Sequence, residues 1–138
     1  MPVGPSLRQL HAHRAIHEGG LAGAASKTAD VIGALQAGDL ESANAAADDL
    51  LDYWETRIIA HADSEEDGFY QEVAERDPSK QHAVIQLIRD HDLMRVIAAD
   101  IRELRKTEGL SRDVMMKLHA LMIVNEIHSR DEERLLLD

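Results

Sequence analysis

Apolar residues recur along this chain at spacings of three and four, the mark of amphipathic helices. Leu7 and Leu10, then Val31, Ile32 and Leu35, predict a first helix that opens on a Ser6 cap and runs to about Gln36. Gly19-Gly20 interrupts it, and each glycine costs ~1 kcal/mol in a helix interior, so a kink or a close backbone approach is expected there. Gly38-Asp39 marks a turn, with Asp39 capping a second helix from about Leu40 to Arg76. That helix begins alanine-rich (Ala43, Ala45, Ala46, Ala47) and continues through Leu50, Leu51, Trp54 and Ile58. Asp77-Pro78-Ser79 ends it, because the residue before a proline is biased out of helical geometry. Ser79 is the expected cap of a third helix, about Lys80 to Lys106, carrying Val84, Leu87, Ile88, Met94, Ala98, Ile101 and Leu104. Gly109 breaks that helix, and Ser111 is expected to cap a fourth, about Arg112 to Leu137, with Val114, Leu118, Leu121, Val124 and Leu135 on one stripe.

Four long amphipathic helices joined by short turns predict an all-α fold, an antiparallel up-down-up-down four-helix bundle. Residues 1–138 are expected to form a single domain. Aromatic residues supply only 3% of the chain, so the core must be built from Leu, Ile, Val, Ala and Met. Met94, Met115, Met116 and Met122 are expected to fill gaps, and Trp54, Phe69 and Tyr70 to pack nearby. The net charge of -11 argues against a nucleic-acid partner, which calls for a basic face. The same charge is compatible with cation binding without requiring it. With no cysteine, disulfides, thiolate metal sites and thiol catalysis fall away. The start of the chain shows neither the basic region nor the apolar core of a secretory signal. No apolar run approaches ~20 residues, so the expectation is a soluble cytoplasmic protein with no membrane association.

Two stretches change this picture: His61-Ala-Asp-Ser-Glu65-Glu66 and His128-Ser-Arg-Asp-Glu132-Glu133. Each places an imidazole and a carboxylate four residues apart, neighbours on one helix face. Taken singly, such a pair is a solvated surface contact worth a few tenths of a kcal/mol. In an antiparallel bundle, however, His13, His61, Glu65, His91, His128 and Glu132 all fall in a layer roughly 8–22 Å from the same end, at a rise of ~1.5 Å per residue. His11, His82 and His119 face the opposite way. His17 lies one turn beyond His13 on the same face, and its reading is open between a ligand, a group behind the ligands and a partner-facing residue. Glu66 and Glu133 lie about 100° round from their neighbours and are expected to be solvated.

Imidazole suits iron, zinc and copper, and carboxylates suit harder ions. Burying two carboxylates without positive charge is very costly. His13, His61, Glu65, His91, His128 and Glu132 are therefore candidate ligands for a pair of iron ions linked by the two glutamates. His17 and Tyr70 are candidates beside that cofactor, Tyr70 with core packing as the plain role and gating or redox as the sharper one.

A lone histidine, then His-x-x-x-Glu, then the same again resembles the hemerythrin-like family, the HHE cation-binding domains. The match falls on His13, His61/Glu65, His91 and His128/Glu132, spans nearly the whole chain, and extends to the flank Glu65-Glu66-Asp67-Gly68-Phe69-Tyr70. The resemblance implies a four-helix bundle around a non-haem, oxo-bridged di-iron centre that binds O2 or NO for sensing, storage or detoxification. Binding is expected ahead of turnover, with peroxide or NO chemistry as the enzymatic alternative. One position departs: Arg95 stands where oxygen carriers of the family have a second histidine on the third helix, and the extra histidine here is His17. Two other functions stand beside this one: a haem-binding bundle using axial histidines of the same layer, and a metal-free helical interaction module.

Overall fold

The computed structural model describes residues 10–137, so Ser6 and Leu7, the expected start of the first helix, lie outside the described residues. Every regular element among the described residues is helical, and these elements form four rods. The first rod is α1, Leu10–Gln36. The second comprises α2, Leu40–Tyr53, a π-helical segment Trp54–Ile59, α3, Ala60–Asp67, and α4, Phe69–Arg76. A 3-10 turn, Pro78–Lys80, leads into the third rod, α5, Gln81–Glu108. The fourth is α6, Arg112–Glu132, ending in a second π-helical segment, Glu133–Leu137. The first rod packs along the second, the third along the fourth, and the fourth also touches the first.

The turns follow their sequence signals, with one exception. Gly38 (φ 74) and Gly109 (φ 67) take the left-handed backbone that favours glycine. Asp39 accepts a hydrogen bond from the Ser42 backbone N–H at 3.0 Å, and Ser111 accepts one from Val114 at 3.2 Å. Ser79 does not cap the third rod. Asp77 instead caps the 3-10 turn before it, its Oδ1 accepting from the Ser79 N–H at 3.1 Å and from the Ser79 hydroxyl at 2.6 Å, while the third rod itself starts without a side-chain cap.

The second rod is not the continuous helix expected. A wider turn intervenes at Trp54–Ile59, and the helix is interrupted again at Gly68 (φ -128, ψ -81). Period-3.6 patterning cannot show either feature, since a π turn shifts the register by one residue without changing composition. Beyond Gly68 the chain resumes with Phe69 and Tyr70 both buried.

Gly19-Gly20 produces no break; α1 runs through it. The close approach that the glycines signal is made by Tyr53, whose hydroxyl donates to the Gly20 carbonyl at 3.0 Å. The tightest contact falls at Gly23, where an added Cβ would collide with the Tyr53 ring at 2.6 Å. Met94 is buried and Met115 and Met122 are partly so, but Met116 is 58% exposed and fills no gap.

Two apolar clusters make up the interior. The larger holds Leu50, Leu51, Trp54, Met94, Ile101, Leu118 and Leu121. The smaller holds Phe69, Tyr70, Val84, Leu87 and Leu136. Along the second, third and fourth rods, Glu65, His91 and His128/Glu132 fall in sequence between members of the two. The buried polar layer is thus sealed on both sides by hydrocarbon.

Gly33 has nothing within 4 Å of an added Cβ. Gly33→Ala is therefore expected to stabilise the protein by up to ~1 kcal/mol through helix propensity. Gly23→Ala, which must displace Tyr53, is expected to lose about 1 kcal/mol or more. Urea unfolding of the two variants checks the opposite signs.

Candidate metal centre

Three rods bring four of the expected residues to one point. His91 on α5 and His128 on α6 meet with their Nε2 atoms 3.0 Å apart, facing Glu65 of α3 and Glu132 of α6. His13 of α1 approaches the same two carboxylates, at 3.0 Å from Glu65 Oε2 and in very close contact with Glu132 Oε2. His17 joins it, its Nε2 3.0 Å from Glu132 Oε2. Two overlapping groups result: His13, His17, Glu65 and Glu132, and Glu65, His91, His128 and Glu132. Within each, the candidate ligand atoms all lie within 4.8 Å of one another.

The carboxylates are shared in a specific manner. Glu65 turns Oε2 towards His13 and Oε1 towards His91. Glu132 turns Oε2 towards His13 and His17 and Oε1 towards His128. Each carboxylate thus presents one oxygen to each group.

His61 stands apart from both groups. Its Nε2 is 3.5 Å from Glu65 Oε2, and its side chain is 28% exposed. That nitrogen is nevertheless buried and has no hydrogen-bond partner among the described residues. His11, His82 and His119 are exposed.

Three of the ring nitrogens turned away from the centre are held by a second set of carboxylates, while His13 Nδ1 is buried with no hydrogen-bond partner among the described residues. The Nδ1–H of His91 donates to Glu66 at 2.7 Å, that of His128 to Asp90 at 3.0 Å, and that of His17 to Glu133 at 2.9 Å. Such bonds fix the tautomer and aim Nε2 inward. Glu66 and Glu133 are therefore not solvated bystanders; they are 21% and 13% exposed and bonded to site histidines. Angular position on an isolated helix missed them because a neighbouring rod covers that face. The doubled Glu-Glu of both motifs was the available signal. Arg95 closes the outside of this layer, donating to Glu66 at 2.6 Å and to Asp63 at 2.6 Å. Arg14 does the same for Glu133 at 2.8 Å.

Tyr70 is fully buried, stacks on the His91 ring (5.5 Å, 8°) and donates its hydroxyl to Glu132 Oε1. Burial, together with the charges of Glu65 and Glu132, pushes its pKa up, so it stays a phenol. Phe69 covers His13, their ring centroids 5.4 Å apart.

Protonated imidazoles balance the two carboxylates. Burial works against a charged His13, but its bonds to Glu132 and Glu65 win and push its pKa up to about 10. For His128, burial is likewise outweighed by Asp90 and Glu132, and the pKa rises to about 9. Burial would raise Glu65, yet the histidines around it hold it down at about 2. Glu132 is lowered by its imidazole partners against the same opposition.

A cavity of about 190 Å³ opens onto this layer, touching His17, His61, Glu65, His91 and His128, with Asn125 and Ser129 of α6 on its wall. Neither of those two was singled out by the sequence, where a serine and an asparagine on a helix carry no pattern.

A pH dependence follows for chelator-treated protein. His13 and His128 have folded pKa values above the ordinary 6.5, so their contribution is complete below about 6.5 and is lost as pH rises through about 9 to 10. Glu65, depressed from 4.5, contributes above about 4.5 and loses that contribution as pH falls towards 2. Urea midpoints should therefore peak between these limits, and His13→Gln should flatten the alkaline fall.

Comparison of the chain with protein-family models, with curated proteins and with solved structures finds no significant match.

Proposed function

We propose that the protein is a hemerythrin-like binder: an antiparallel up-down-up-down four-helix bundle that holds two non-haem iron ions and takes up O2 or NO for sensing, storage or detoxification. The observation that carries this reading is the division of oxygens, one from each of Glu65 and Glu132 to each histidine pair. Two histidines with carboxylate and room for a further ligand make a donor set suited to non-haem iron, and inward-facing glutamates and histidines on bundle helices are the usual way a bundle holds a metal pair.

The spacing fits as well. Nitrogens at ~2.0–2.1 Å from one ion and at right angles lie about 2.9 Å apart, and the His91 and His128 Nε2 atoms are 3.0 Å apart. His61, with an unpartnered buried Nε2, would stand beside the His13/His17 ion as a third imidazole. An iron pair would supply reversible redox change and open positions for a small ligand. The chain supplies the rest: Asp90, Glu66 and Glu133 aim the imidazoles, and Tyr70 fixes Glu132 while remaining protonated.

A haem is a poorer fit. It must insert a flat ring between two axial nitrogens, and the facing pair is 3.0 Å apart. The cavity of about 190 Å³ is also smaller than the ~300–1,000 Å³ that larger ligands occupy. No helix among the described residues is long and apolar enough to cross a membrane.

Iron analysis of the purified protein tests the proposal. Two ions per chain are expected, abolished in His91→Ala and His128→Ala and retained in His82→Ala; equal iron in all three variants would refute the centre. Glu66→Gln and Asp90→Asn are expected to weaken iron binding by roughly 10–100-fold without abolishing it.

A further inference from the structure

The outer side of α6, turned away from the buried layer, is apolar where a solvent-facing helix is ordinarily polar. Met116, Ile123 and Ile127 are 58%, 59% and 47% exposed, and the half-buried Ala120 lies between them. Their spacings of four, three and four are those of a helix-on-helix seam. The stripe runs ~17 Å along the helix at about 1.5 Å per residue. Val96 of α5, 54% exposed, adds to it from the neighbouring rod. The contacts of Asp90 with His128 (3.0 Å) and of Asp100 with Lys117 (3.8 Å) put Val96 level with residues 121–122, the middle of the stripe. Single exposed apolar residues need no explanation, whereas several in a row mark a contact surface.

We infer that this stripe docks onto the same stripe of a second copy of the chain, with the two α6 helices antiparallel. In a two-fold contact, residue i of one copy faces residue j of the other, and j faces i. With the axis between residues 121 and 122, Met116 faces Ile127 and Ala120 faces Ile123, so every apolar position meets an apolar one. One turn further out, the same register sets Asp113 against Arg130, and at the edge it brings His119 beside Glu126. All four are exposed, and the symmetry forms each pair twice. Parallel packing would oppose Asp113 to Asp113 and Arg130 to Arg130 instead. Two chains of net charge -11 can approach here because residues 112–130 carry Arg112, Lys117 and Arg130 against only Asp113 and Glu126. The acidic excess lies elsewhere on the surface. A contact of this length falls short of the ~800 Å² per partner of a standard stable interface, so the dimer forms and dissociates with concentration. The inference is independent of the metal-pair reading, since none of these residues belongs to either histidine–glutamate group.

Sedimentation of the full chain over the micromolar to millimolar range tests this, with a monomer converting to a dimer as the expected result. Ile123→Glu should weaken the dimer about tenfold or more. Leu40→Glu, at a residue 64% exposed on the second rod, should leave it unchanged. Asp113→Arg and Arg130→Asp should each weaken it about fivefold, the scale of two exposed ion pairs. The chain carrying both changes should recover most of that loss, because the swap restores opposite charges across the axis. A wild type that stays monomeric throughout, a dimer indifferent to Ile123→Glu, or a charge swap that recovers nothing overturns the inference. So does a monomer that sediments with phosphatidylcholine vesicles and loses that binding in Ile123→Glu, which would assign the stripe to a lipid surface.

Discussion

Two carboxylates, Glu65 and Glu132, lie almost wholly out of water between two hydrocarbon clusters. Isolated buried ions cost several kcal/mol each even after the protein relaxes. The rest of the layer can be understood as an answer to that cost. Without metal, protons held on His13 and His128 supply the compensating charge, which is why both imidazoles hold their protons far above their ordinary range. A metal pair would take over the same task and release those protons, so folding and the proposed cation binding would draw on one set of groups.

The outer carboxylates make that exchange geometrically possible. An imidazole free to rotate offers either nitrogen; one whose Nδ1–H is tied to Glu66, Asp90 or Glu133 offers only Nε2, aimed inward. Those carboxylates are in turn held from outside by Arg95 and Arg14. Arg95 occupies the position where the family resemblance implies another histidine. Here it contributes indirectly, through Glu66 to His91, while His17 brings an imidazole from the first rod.

Much of this was legible in the sequence because helix spacing is rigid. The caps at Asp39 and Ser111, the turns at Gly38 and Gly109, and the burial of His13, Glu65, His91, His128 and Glu132 all follow from local chemistry and a 3.6-residue period. What escaped depends on neighbours or on register. Glu66 and Glu133 looked solvated because their cover comes from other rods. The π-helical segments at Trp54–Ile59 and Glu133–Leu137 leave no mark in composition, yet one precedes His61 and the other follows Glu132. His61 is the residue whose outcome differs most from its motif: the same spacing as His128, but an edge position and an unpartnered nitrogen.

A buried ion network built only for stability would look different. Replacing such a network with well-packed apolar residues is often neutral or favourable, so stability alone is a weak account of it. His91 and His128 Nε2 stand 3.0 Å apart with both Nδ1–H groups already bonded to carboxylates, so a single proton can be shared between them. A network built for stability would not leave His61 Nε2 buried with only a 3.5 Å contact to Glu65 Oε2. In the proposed metal-bound state, these nitrogen and oxygen lone pairs would converge on cations.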